Sequence, residues 1–334
     1  MSESTGLPGG VAGAIGSLPG TDIVEAVRTV FGEVPDLPHL PELPARGPGA
    51  DLIGRSAALL VDLPVQLHAG RWRMAARPGI DLRRAADFLE RDLDALTQVV
   101  SEHDGPVKLS AVGPFTLAAA LHRGIGGSML ADPAAVADLT DSLAEGVAAH
   151  AREVAQRMPH ASVILQLDEP SLPAVLAGTV PTDSGLAAHR PVAAETVRDR
   201  LARVVDLAGV PTVVHCCAPE VPVRLVRQAG AVAVSLDLSL LDMDDPAAID
   251  PLGEQLDSGF GLLAGAVPAV GPAPSERAAA ELVRTLWGRL GLAPDRLRDQ
   301  LVVTPTCGLA GADPDRVRSV LVACRTAARR LAEA

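Results

Sequence analysis

Three short segments each end an apolar run with a residue able to ligate a metal: Val213-Val214-His215-Cys216-Cys217, Val232-Ala233-Val234-Ser235-Leu236-Asp237 and Val302-Val303-Thr304-Pro305-Thr306-Cys307. His215 and Cys217, two apart on an extended segment, share a face, while Cys216 points to the other and packs. Cys307 is followed at once by Gly308, which lets backbone approach a ligand closely. Of the four cysteines in the chain, Cys217 and Cys307 would both be committed to one site. Two thiolates and an imidazole suit zinc, which holds an incoming thiol as its anion near neutral pH. Thiol alkylation on a single Zn2+ ion is the expected chemistry, with His215, Cys217 and Cys307 as ligands. Asp237 is a candidate fourth ligand; it could equally orient His215 through the other ring nitrogen, or simply cap the turn after it. Cys324 lies in a helical run, 317–331, and reads as a buried thiol. The other histidines fall in loops or on helical faces and read as structural.

Such ligands need strand ends to hold them. Strand-length apolar runs recur at 10–16, 58–67, 107–112, 162–167, 211–215, 231–236, 261–267 and 301–304. Helical spacing marks 81–100, 133–157, 194–208, 275–290 and 314–332 between or after them. Eight strands alternating with helices predict an α/β fold, a single (β/α)8 TIM barrel over residues 1–334, rather than a doubly wound sheet. Ser17, Asp168, Glu169, His215, Cys217, Asp237 and Cys307 all follow strands, the side on which such barrels place their active sites. The proline-rich stretch 35–48 is expected to wrap the outside or cover the mouth.

Composition narrows the partners. With 334 residues and 48% hydrophobic content there is material for one large core. The formal charge is 29 − 41 = −12, and Lys108 is the only lysine. No basic stripe exists to neutralise phosphates, so nucleic acid and membrane surfaces are excluded as partners. The start of the chain lacks a charged region followed by an apolar core, and no run of about 18 apolar residues occurs. A cytoplasmic location is expected, where cysteines serve as thiols or ligands rather than disulfides.

Five segments, in order, resemble the C-terminal catalytic barrel of cobalamin-independent methionine synthase: Ala14-Ile15-Gly16-Ser17-Leu18-Pro19, Val107-Lys108-Leu109-Ser110-Ala111-Val112-Gly113-Pro114, Gln166-Leu167-Asp168-Glu169-Pro170-Ser171-Leu172, His215-Cys216-Cys217 and Cys307-Gly308-Leu309. The resemblance implies a zinc-dependent methyltransferase acting on homocysteine, in a short form without the N-terminal barrel. It assigns His215, Cys217 and Cys307 to zinc, with Asp237 where the family has a longer glutamate. It also assigns Ile15, Gly16 and Ser17 to the carboxylate of homocysteine and Asp168 to its amino group. A small zwitterion needs donors at one end and an anion at the other, which a Gly-Ser turn and a carboxylate supply.

The chain departs from that pattern in three places. No tryptophan follows the Gly-Pro segment to stack on a pterin, nothing titrates in 265–272 where the family has a proton-donating histidine, and 64–73 offers no second substrate carboxylate. Methyltetrahydrofolate leaves a nitrogen that must be protonated, whereas a methylcorrinoid does not. The expected methyl donor is therefore a methylcorrinoid, carried by a corrinoid protein, rather than methyltetrahydrofolate. Two rival readings stand beside this one: zinc-dependent alkyl transfer to another thiol, and a non-catalytic zinc-binding homologue.

Overall fold

Near-continuous apolar runs are what parallel strands require, since helices cover one face of the sheet and its own interior the other. The computed structural model describes residues 6–333, so the domain expected over 1–334 extends past them at both ends. Nine strands form among the described residues: β1 (Val11–Ala12), β2 (Val65–His68), β3 (Arg71–Met74), β4 (Pro106–Val112), β5 (Ser162–Asp168), β6 (Thr212–Cys216), β7 (Ala233–Asp237), β8 (Gly261–Val267) and β9 (Leu301–Pro305). Seven make one parallel sheet in the order β1-β9-β8-β7-β6-β5-β4, while β2 and β3 pair separately as an antiparallel hairpin. The order never reverses, so the sheet curls in one direction and is not doubly wound.

Alternate residues along each strand face opposite ways. Leu165, Val214, Val234, Leu262 and Val303 pack into the main core with the helices. Their neighbours Ile164, Val213, Ala233, Leu263 and Val302 join Leu37 in a smaller cluster on the other face, inside the curl. Above that apolar floor the inward positions turn polar, through Lys108, Gln166, Asp168, His215 and Ser235. The helices Pro133–Arg157, Ala194–Ala208 and Pro314–Ala332 form at their expected bounds. In the first and last, proline stands in the first turn behind a capping aspartate, Asp132 and Asp313. No helix among the described residues is long and apolar enough to cross a membrane.

The strand expected at 58–67 does not form. Leu52–Ala58 is a helix and Val65–His68 opens the hairpin. Residues 38–42 instead run between the sheet's two edges. On one side Leu40 N donates to Lys108 O (3.0 Å) and Lys108 N to Pro38 O (2.9 Å); on the other Leu18 N donates to Glu42 O (2.9 Å) and Glu42 N to Gly16 O (3.2 Å). The stretch 35–48 thus sends an extended bridge between the edges rather than wrapping the outside. Pro38 and Pro41 carry no N–H, so the segment cannot sustain a ladder and makes only isolated bridges.

Candidate functional site: a His-Cys-Cys cluster at the strand ends

Parallel register brings distant ligands together. In β6, Val213 stays in the apolar floor and His215, two residues on, reaches the rim; Cys217 follows just past the strand. Asp168 at the end of β5 pairs in register with His215, and His215 with Ser235 of β7. Cys307 follows β9. The Cys217 and Cys307 sulfurs lie 3.8 Å apart, and the three ligand atoms of His215, Cys217 and Cys307 fall within 4.8 Å of one another. A tetrahedral zinc with Zn–S bonds of about 2.3 Å spans two sulfurs about 3.8 Å apart, so the spacing and the donor set both fit that ion. The His215 Nδ1 is 2.9 Å from the Ser235 hydroxyl, which leaves Nε2 for a metal. Among the described residues these three are the group that could hold a metal, and three protein ligands is the number that catalytic zinc sites use, the fourth position being left to water or substrate.

The sulfurs are unequal. Contact with Cys217, then with His215, pushes Cys307 down to about 4, while the same contact and burial push Cys217 up. Cys216 packs on the opposite face, its thiol raised to about 12 by burial.

His215, Cys217 and Cys307 share a cavity of about 320 Å³ with Ile15, Gly16, Ser17, Asp168 and Glu42. A Cβ on Gly308 would meet the Ser17 Oγ at 2.1 Å, so a larger residue there would turn that hydroxyl away from its present position. Asp168 is buried, and burial raises its pKa against the opposing charges of His215 and Lys108; its Oδ1 accepts from Gln166 Nε2 at 2.7 Å. Glu42 is buried too, and desolvation lifts it to about 7 against the pull of Arg55, whose Nε lies 3.6 Å away.

Asp237 is not brought to the cluster. Its Oδ1 accepts from Ser239 N (2.9 Å) and Ser239 Oγ (2.6 Å), capping the turn Leu238–Leu240, and it lines a different cavity, of about 500 Å³. The partner of the other His215 nitrogen is Ser235, not this carboxylate.

Sequence reasoning sought a second substrate carboxylate near 64–73, where Gln66, His68 and Arg71 belong to the β2–β3 hairpin and do not line the 320 Å³ cavity. Glu42 does, from a proline-rich stretch with no strand signal. Lys108, Gln166 and Ser235 carry no ligand or substrate motif of their own; what marks each is a polar residue on the inward register of an apolar strand.

The family described as "Cobalamin-independent synthase, Catalytic domain" matches residues 11–330. Among solved structures, the chain is similar to a B12-independent methionine synthase from Shewanella sp. W3-18-1 in complex with selenomethionine. That likeness has a TM-score of 0.65 and 14% identity, covering 97% of this chain and 98% of that one, and at such identity it speaks for fold alone. The BexX/CysO complex of Amycolatopsis orientalis overlaps at a TM-score of 0.36 and 16% identity, covering 96% and 90%, too weak a likeness to argue from. No curated protein matches the chain.

Proposed function

The chain belongs to the cobalamin-independent synthase catalytic-domain family, and on that premise we propose that it methylates the thiol of homocysteine to give methionine, using one zinc ion held by His215, Cys217 and Cys307. The observation that carries this reading is the approach of those three side chains, 3.8 Å between the sulfurs, inside the cavity that Ile15, Gly16, Ser17 and Asp168 also line. Zinc bound there supplies a Lewis acid that keeps an incoming thiol anionic near neutral pH. The protein's own groups do the rest. Ser235 fixes the His215 ring, the turn at Ile15, Gly16 and Ser17 receives the substrate carboxylate, and Asp168 with Glu42 receives the ammonium. Holding both ends of a small zwitterion brings its sulfur to the metal and supplies binding energy that is kept through the reaction. We read residues 11–330 as one catalytic unit, a (β/α)8 barrel whose second stave is the irregular segment 38–42.

The methylcorrinoid and corrinoid protein expected from the sequence find no support, because the family is the cobalamin-independent one. The donor in this proposal is methyltetrahydrofolate. No residue of 265–272 titrates, so the proton that its departing nitrogen takes up comes from solvent, and Phe115, fully buried, offers no stacking face.

Purified protein given homocysteine and methyltetrahydrofolate should form methionine and hold one zinc per chain. Cys307→Ser should lose both metal and activity. A Cys307→Ser protein that keeps its zinc, or that turns over at the parent rate, overturns the assignment.

A further inference from the structure

A buried lysine that does not line the cavity ties its two ends together. Lys108 is 0% exposed on β4. Its Nζ donates to the Ile15 carbonyl and to Gln166 Oε1, both at 2.6 Å. The Gln166 amide in turn donates to the same Ile15 carbonyl at 3.0 Å and to Asp168 Oδ1 at 2.7 Å. One carbonyl of the turn assigned to the substrate carboxylate, and the carboxylate assigned to the ammonium, are thus joined through two side chains. Burying an ammonium is costly unless its protons are satisfied, and an apolar residue would fill the space at less cost.

We propose that Lys108 and Gln166 are a positioning pair that sets the spacing between the Ile15, Gly16 and Ser17 turn and Asp168, so that the cavity selects acceptors bearing both ends of an amino acid. The proposal rests on the homocysteine reading above. Neither residue touches the reacting sulfur, so neither is catalytic. What they govern is how well a zwitterion is held, which concerns ground state and transition state alike.

The test uses Lys108→Met, Gln166→Met and the double variant in the full chain, with zinc content and thermal melting recorded for each. The homocysteine KM should rise about tenfold or more in each single variant, while kcat and the rate with propanethiol, which has neither charged end, stay within about threefold of the parent. The double variant should be no worse than the worse single one, because two members of one network are not additive. An unchanged homocysteine KM overturns the proposal, as does an equal loss with both thiols or an additive double variant. Should Lys108→Met fail to fold, Gln166→Met decides alone, because it breaks the link to Asp168 while leaving the lysine bonded to Ile15. If the parent neither binds nor methylates homocysteine, the function itself is misread and this proposal falls with it. Normal parent kinetics with unmoved variants sink only the positioning role.

Discussion

A histidine can serve a metal only if one ring nitrogen is left free and the ring is kept from swinging. At His215 the Ser235 hydroxyl, 2.9 Å from Nδ1, meets both needs. Ser235→Ala is expected to weaken zinc binding about 10- to 100-fold without unfolding the chain, as measured by competition with a chromogenic chelator. Unchanged affinity would mean that something else orients the ring. His215, Cys217, Cys307 and Asp168 could be read from the sequence because each stands at the end of an apolar run, where strand end and cavity rim coincide. Glu42 could not, because bonds to Gly16 and Leu18 place it, and nothing near it in the chain announces them. At Asp237, of the three readings open to it, the turn cap is the one that holds: a serine two residues on competes locally for the carboxylate.

The short helix Pro114–Ala120 begins without a side-chain cap of its own, and the residue just after β5 supplies one from a distance. Glu169 accepts from Phe115 N (2.9 Å) through Oε1, and from Thr116 N (2.9 Å) and Thr116 Oγ1 (2.7 Å) through Oε2. Gly113 makes room for it, since a Cβ there would lie 2.4 Å from Oε1 and 2.5 Å from Cγ of Glu169. Gly113→Ala should push the carboxylate aside and uncap the helix, costing about 2–4 kcal/mol in urea unfolding; a loss under about 0.5 kcal/mol would mean that the neighbours absorb the methyl without harm. Apolar period and turn residues marked β4 to β9 and the long helices because those signals are local. The bridge at 38–42 escaped because its prolines erase the period of a strand, and its bonds run to Lys108 on one side and Gly16 and Leu18 on the other. The run at 58–67 misled for the converse reason: apolar content without β-branched enrichment suits a helix end and a hairpin arm as well as a central strand.

Two histidines and two glutamates are among the buried groups that link the stability of the folded chain to pH. His39 and His150 are each lowered to about 3, chiefly by burial, with Lys108 facing the first and Arg55 and Arg157 the second. The unfolded chain takes up these protons near 6.5 and the folded chain only near 3, so their share of stability is complete above 6.5 and lost as pH falls toward 3. Glu42 and Glu169 act in the opposite sense. Raised to about 7, mainly by burial, they bind protons in the folded chain before the unfolded one does, and favour folding as pH falls from 7 to 4.5. The two pairs largely offset each other between 6.5 and 4.5; below that the glutamates no longer differ between the two states, and Asp168, raised by burial, opposes the histidines in their place. His150 Nδ1 has no hydrogen-bond partner among the described residues, so His150→Leu forfeits no hydrogen bond there. The substitution removes one proton of differential uptake, which is worth about 1.4 kcal/mol per pH unit. Between pH 6 and 4.5 the parent should therefore lose about 2 kcal/mol more than His150→Leu, as read by urea unfolding at each pH. Parallel losses would show that His150 accepts its proton while still folded, and that its burial does not limit tolerance of acid.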